Sequence, residues 1–584
     1  RRTQDRSLAL PVLLEALRLV AKPIRPSILR RSWAGARGGP EIAVREARAS
    51  VNRTAPQDET RTLDGIRRAR WHQWIFFGAL ALALGLRLYH LGEQDFWQDE
   101  IHSMYNSAGA RGPVEKLPHG VILTDLPRYS DLTERSTLGA VWRTMDDDSH
   151  PPLYFLLLLL WRRLVGYAEY ALRAMSVAFS ALSIIPVALL VRELRRPRLA
   201  PIIALLLALC YTHILMGQDN RPYALSLLFA ATSFWLVVRM ERRWADWSKR
   251  TRLAHCALYA ATIFLAVMTH YFSSLALAGQ GIYALHRLRG QVLRWWLLSV
   301  VTAAGVFAIV WLPHLVHQRE FIASQNWLLE KHPDHAQRSV LRIAGLPIRH
   351  LFLTERIKVV VSNSLSGFAL LTGVCAVLWV RRTRDVAVFA YWYFVPVVIL
   401  AAVDFTTGHQ LLTHLRYGSV AIPGLVGLIA FAIDGPANAG WQRLRRLALP
   451  TALVVVMALT LRLPAQYNPH SRVAAAILKQ DITRDSLLVY DAVDWPSIWA
   501  LRLFQLVSYY LPYNPPTLLL RDRPDEALKN EMARYDRIYV VSPPVEDIPN
   551  HTRETHPYVE VSDYIFEVGW VYRCLREPPA AAGR

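Results

Sequence analysis

The chain has 584 residues, 53% of them hydrophobic and 19% charged, and its 67 Lys and Arg against 46 Asp and Glu leave a formal net charge of +21. Apolar runs of membrane-spanning length alternate with short charged stretches, which argues against a water-soluble globule and for a polytopic membrane protein. The positive excess lies beside those runs, where anionic lipid headgroups attract it, so no nucleic-acid partner is needed to account for it.

The chain opens on an Arg-rich tail, 1–73, whose Pro, Gly and Arg between Lys22 and Pro40 favour loose order and a cytoplasmic position. About eleven spans follow, at 74–91, 170–191, 199–217, 223–239, 253–271, 273–286, 295–312, 359–380, 386–403, 417–433 and 447–463, and they make 74–463 the transmembrane part. Between the first two spans, Leu153 to Trp161 is apolar but too short to cross, because nine helical residues cover only about half of a hydrocarbon core roughly 30 Å thick. We therefore expect it to lie along the membrane surface.

That reading places the basic loops at Arg192 to Arg196, Arg239 to Arg252, Arg287 to Arg294, Arg381-Arg382 and Arg443 to Arg446 on one side, as the positive-inside rule requires. The N terminus is then cytoplasmic, and the loops 92–169 and 313–358 and the C-terminal part 464–584 lie outside, as expected of a bacterial inner-membrane protein. In 464–584, short apolar runs at 486–490, 517–520 and 537–541, separated by helical patterns near 496–510 and 525–534, predict a small extracytoplasmic α/β domain. Cys210, Cys256, Cys375 and Cys574 have neither metal-ligand spacing nor the look of a disulfide framework.

Outer helix ends gather polar residues from distant parts of the chain. They carry Asp99-Glu100 with His102, His150, Asp219 and Arg221, His270, and Arg416-Tyr417. A single His102, His270 or His409 at a membrane boundary is more often a snorkelling residue than a ligand, and Asp146-Asp147-Asp148 reads as a solvated turn. Asp99 and Asp219 are different, because an acid beside an apolar span is costly unless it is paired or used.

In order, the segments Trp97-Gln98-Asp99-Glu100, His150-Pro-Pro-Leu-Tyr154, Gln218-Asp219-Asn220-Arg221-Pro222-Tyr223, His270-Tyr271-Phe272 and Arg416-Tyr417 resemble landmarks of the GT-C superfamily of membrane glycosyltransferases. Over roughly residues 71–463 the chain is most similar to the branch of dolichyl-phosphate-mannose protein mannosyltransferases and aminoarabinose lipid A transferases, and so is glycosyltransferase family 39-like. The resemblance implies transfer of one sugar from a polyprenyl-phosphate carrier to a lipid, glycan or protein acceptor on the outer face. It puts Asp99 at the catalytic carboxylate with Glu100 beside it, Asp219 at a second acidic position near the donor, and His150 where some relatives have lysine.

Arg221, His270, Arg416 and Tyr417 complete the expected donor and phosphate site. The chemistry fits these residue types. One carboxylate deprotonates the acceptor while cations neutralise the departing phosphate, and a single displacement inverts the anomeric centre. Burial and neighbouring acids would raise the Asp99 pKa. Asp99 and Asp219 leave room for a divalent metal, although no short metal-binding spacing occurs. The competing readings are a secondary transporter or lipid flippase, and an inactive scaffold. The position of the acids at outer helix ends and the absence of an internal repeat favour the enzyme.

Overall fold

The computed structural model describes residues 71–134, 136–323, 335–352, 360–381, 384–434, 440–461, 470–493, 498–542, 550–562 and 568–576. Of the tail 1–73 only the last three residues fall among them, and the loop 313–358 is described as two helices, Leu312–Ala323 and His335–Leu351.

All eleven apolar segments are helical, but not all are long and apolar enough to cross a membrane. Six helices are: Glu169–Glu193, Tyr223–Asp246, Lys249–Thr269, Gly290–Val310, Arg384–Thr407 and Leu415–Ile433. A seventh crossing is obtained if Leu199–Leu209 and Tyr211–Gln218, bent by 62° at their junction, count as one. Among the described residues, six of the eleven expected crossings, or seven with the bent pair, thus meet this test. Ser273–Arg287 has only 15 residues, or roughly 22 Å of helix. The helix over 71–88 begins with polar Trp71-His72-Gln73 and carries Arg87, and Gly440–Thr460 spends its first two turns on Gln442, Arg443, Arg445 and Arg446. Six apolar helices of this length make the chain an integral membrane protein.

Leu153–Val165 has 13 residues, about 20 Å, and is not among the crossing helices. It buries Tyr154, Phe155, Leu158 and Leu159 against Phe96, Ile101 and Met104. Arg162 near its end is buried with no carboxylate partner among the described residues, donating to Ser107, Tyr129 and Ser136.

The C-terminal strands join one six-stranded mixed sheet. Its strands are β1 (Ile122–Leu123), β2 (Leu487–Asp491), β3 (Thr517–Leu520), β4 (Arg537–Ser542), β5 (Tyr558–Val561) and β6 (Trp570–Leu575), in the order β1-β3-β2-β4-β6-β5. The three strands expected from the sequence are its parallel centre, linked by the helices Ile498–Ser508 and Glu526–Met532. Alternation along the strands sorts the two faces. Leu487, Val489, Leu518, Leu520, Ile538 and Val540 pack on Leu528 and Met532, whereas Leu488, Tyr490, Leu519, Tyr539 and Val541 share a core with Phe96, Ile101, Met104 and Phe155. The sheet is thus built onto the loop that follows the first helix, and β1 comes from that loop.

The bend at Cys210 has a partner. Breaking a helix strands the carbonyls of its last turn. The fully buried Arg87 fills them, donating to Leu207 O at 3.1 Å and Ala208 O at 3.3 Å, and also to Ala83 O at 2.8 Å, Ser180 Oγ at 2.8 Å and His213 Nδ1 at 2.6 Å. Gln218, at the far end of the bent pair, returns the contact by donating to Leu86 O, Arg87 O and Tyr89 O at the end of the helix over 71–88. Gly217 keeps the pieces close, since a Cβ there would lie 2.9 Å from Ser180 Cβ and 3.0 Å from Arg87 Cδ.

Replacing Arg87 with Leu strands two carbonyls in apolar surroundings and should cost about 2–4 kcal/mol, whereas Ser180→Ala should cost under about 1.5 kcal/mol. Thermal unfolding in nanodiscs reads both. Equal midpoints for wild type and Arg87→Leu would show that the break is held by something else.

Candidate functional site

Local sequence sets each side chain in place. Trp97 caps the helix Gln98–Ala108, whose first turn carries Asp99 and Glu100, where the helix dipole favours acids. Asp219, Asn220 and Arg221 occupy the link from the bent pair to Tyr223–Arg243, which Pro222 initiates. His270 caps Lys249–Thr269, His150 precedes Leu153–Val165, and Arg416-Tyr417 lie in the short helix Leu415–Gly418.

These residues converge. Asp99 Oδ2 lies 2.6 Å from the Arg416 guanidinium, which sits between the rings of Trp97 and Tyr417, 5.2 Å from each. Arg221 donates to Asp99 O and Ser103 Oγ, both at 3.0 Å, and to His150 Nε2 at 3.0 Å. Because a guanidinium only donates, His150 Nε2 accepts and its Nδ1 carries the proton toward Asp148 Oδ1, 2.7 Å away. Asp148 is in turn held by Asn106 at 2.7 Å and Arg111 at 3.4 Å. His270 packs its ring 5.2 Å from His150 and from Tyr223. Its Nδ1 accepts from Phe272 N, which leaves a buried Nε2 without a protein partner among the described residues.

Three acids within one loop cluster have three different states. Burial would raise the Asp99 carboxyl, but Arg416 and Arg221 outweigh it and hold the group well below the usual carboxylate range, the reverse of the rise expected from the sequence. Asp219 is pushed up to about 8 by burial and by the Glu100 carboxylate, against the pull of Arg221 and a 3.0 Å bond from Trp97 Nε1. Glu100, expected beside Asp99 at the chemistry, faces another way, since successive helical residues point about 100° apart. Its oxygens accept from Arg173 at 2.8 and 2.6 Å and from Asn220 N at 2.8 Å, and both partners of the ion pair are fully buried. Burial and Arg221 together lower the pKa of His150.

The site includes residues that the sequence reading passed over. Arg173 lies inside an apolar span, and a charge at such a depth is itself a signal. Asp148, read as part of a solvated turn, is 3% exposed. Among the described residues, no group of three or more His, Cys, Asp or Glu could hold a metal ion. Asp99 has guanidinium groups as its counter-charge.

No family model matches the chain, and no curated protein matches it. Solved structures do. ArnT from Cupriavidus metallidurans bound to undecaprenyl phosphate superposes with a TM-score of 0.53 at 13% identity, covering 87% of this chain and 98% of that one. The apo state of the same protein gives 0.52 at 12%, covering 85% and 96%. The archaeal oligosaccharyltransferase AglB from Archaeoglobus fulgidus, in complex with an inhibitory peptide and a dolichol-phosphate, gives 0.43 at 13%, covering 81% and 69%. The chain therefore shares its overall fold with ArnT.

The raised Asp219 pKa has a measurable consequence. An acid that keeps its proton in the folded state up to about 8, but loses it near 4 when unfolded, contributes less stability as pH climbs between those values. Asp219→Asn carries no such penalty. Its unfolding midpoint relative to wild type should rise between about pH 5 and 8. A pH-independent difference would place the proton elsewhere.

Proposed function

We propose that the chain is a membrane glycosyltransferase that moves one sugar from a polyprenyl-phosphate carrier to an acceptor hydroxyl on the outer face of the membrane. The observation that carries this reading is Asp99, paired with Arg416 inside a buried cluster of Arg221, His150 and His270 at helix ends. A carboxylate for the acceptor and cations for a phosphate are what direct displacement needs. Likeness to a fold that has been solved with undecaprenyl phosphate bound supports the choice of donor.

Asp99 takes the proton of the acceptor hydroxyl as its oxygen bonds to the anomeric carbon. The bond from that carbon to phosphate breaks on the opposite side, inverting the centre, and polyprenyl phosphate leaves. Held by Arg416, Asp99 is a weak base. A donor phosphate competes for Arg416, and that exchange raises the basicity of Asp99 only when a donor is present. Arg221 and His270 face the same phosphate, with Tyr417 holding Arg416 in place. Asp219, protonated near neutral pH, offers the sugar a hydrogen-bond donor, and Glu100 positions Asn220 through its pair with Arg173.

The broken helix at Cys210 is a feature shared with transporters, which leave such carbonyls open to an ion near the bilayer midplane. Here Arg87 occupies them. We place Asp99, Asp219 and the sheet outside and the basic loops inside. A cysteine substituted at Arg195 should then react with a membrane-impermeant maleimide only after lysis, and one at Glu526 in intact cells. Labelling in the opposite sense would invert the topology and remove this site from the outer face.

Turnover of Asp99→Asn should fall about 10²–10⁴-fold with undecaprenyl phosphate binding retained. Arg416→Gln should weaken binding of that lipid and move the acid limb of the rate profile to higher pH, since losing the cation raises the Asp99 pKa. Turnover of Asp99→Asn within about threefold of wild type would take Asp99 out of the base role.

A further inference from the structure

The helix Ile498–Ser508 lies over the turn that carries Asp99. Gln505, 1% exposed, reaches from it to Gln98, with its Oε1 accepting from Gln98 Nε2. His102, one turn beyond Gln98, closes a triangle with both amides, its Nε2 lying 2.7 Å from Gln98 Nε2 and 3.2 Å from Gln505 Oε1. Two amide atoms remain buried without a partner among the described residues, Gln98 Oε1 and Gln505 Nε2. Native interiors seldom leave such atoms unpaired. One is an acceptor and the other a donor. If both amides turn over together, as their mutual bond requires, the remainder is again one of each.

We propose that this cluster is an acceptor subsite that reads a neutral hydroxyl, and that the acceptor is a polyol or sugar rather than an amino-acid side chain. The inference rests on the proposed transfer at Asp99. A hydroxyl gives one proton and takes one, and so satisfies both amide atoms. An ammonium has no lone pair for the Gln505 N–H, and a carboxylate or phosphate has no proton for the Gln98 carbonyl. The reading also fixes a minimum number of groups. Asp99 takes the reacting hydroxyl, and the adjacent amides take another, so the acceptor carries at least two. Serine and threonine carry one. Arg502, one turn before Gln505, stacks 4.6 Å over Trp499 and presents a further cation on the same helix. The C-terminal segment thereby contributes specificity directly to a site otherwise built from helix ends.

The test uses the full chain in nanodiscs, with saturation-transfer NMR of methyl β-glucoside, methyl β-glucuronide and N-acetylserinamide as probes and undecaprenyl phosphate binding as the check on folding. Wild type should bind the glucoside and not the serine amide. Gln505→Met, close in shape and unable to hydrogen-bond, should weaken glucoside binding by about tenfold or more while leaving undecaprenyl phosphate binding in place. Gln98→Met, on the other side of the pair, should do the same and decides the matter if the first variant fails to fold. Unchanged glucoside or glucuronide affinity in a folded variant overturns the subsite, as does equal binding of the glucoside and the serine amide by wild type.

Glycoside binding needs no turnover, so the two readings fail separately. A wild type that binds glucoside through Gln505 but transfers nothing removes the reaction and leaves the subsite. A wild type that transfers sugar while Gln505→Met binds glucoside as before does the reverse.

Discussion

A buried guanidinium that meets no carboxylate among the described residues organises this molecule. Arg87 is enclosed by three helices and spends its donors on Ala83, Leu207 and Ala208 carbonyls, Ser180 and His213. Burying an unpaired charge in apolar surroundings is expensive unless every donor is used. Here they are used on carbonyls exposed by the 62° bend, so charge and break stabilise each other. Gln218 then ties the far end of the bent pair to the helix that leads into Asp99. The loops that present Asp99 and Asp219 are therefore positioned by one reciprocal contact. A shift at the break would move Asp219 and Arg221 relative to Asp99.

The site itself is a problem of charge. Asp99, Glu100 and Asp219 lie close together in low dielectric, where three ionised carboxylates would repel. Each finds a different solution. Glu100 is paired with Arg173, Arg416 and Arg221 hold Asp99 well below the usual carboxylate range, and burial with the nearby Glu100 pushes Asp219 up to about 8. The helix turn separates Asp99 from Glu100 by direction, and neighbours from other helices decide the rest.

The sheet belongs to the same construction. One face packs on the helix Glu526–Met532, while the other shares a core with the helix Ile498–Ser508 and with Phe96, Ile101 and Met104, which flank Asp99 in sequence. With β1 drawn from the loop after the first helix and Gln505 bonded to Gln98, the C-terminal strands brace the turn that presents Asp99. Tyr510 adds to this, donating to Glu169 and accepting from Phe96 N.

Apolar run length and period determine helices and strands locally, so the eleven helical segments, the short Leu153–Val165 helix and the three central strands were legible from residues alone. Asp99, Asp219, Arg221, His150, His270 and Arg416 stood out because acids and cations at the ends of apolar runs are costly without a use, and the fold brings them together. Hydropathy over a window does not register where a helix bends or ends, and among the described residues six of the eleven expected crossings, or seven with the bent pair, are long and apolar enough to span. Nor does spacing reveal a protonation state. Whether Asp99 rises or falls depends on Arg416, 317 positions away, and Glu100 is withdrawn by Arg173, 73 positions away. Those distances in sequence collapse only when helices pack, and electrostatics acts through space, so tertiary structure alone decided which carboxylate is charged, which is protonated and which is spent on holding the loop.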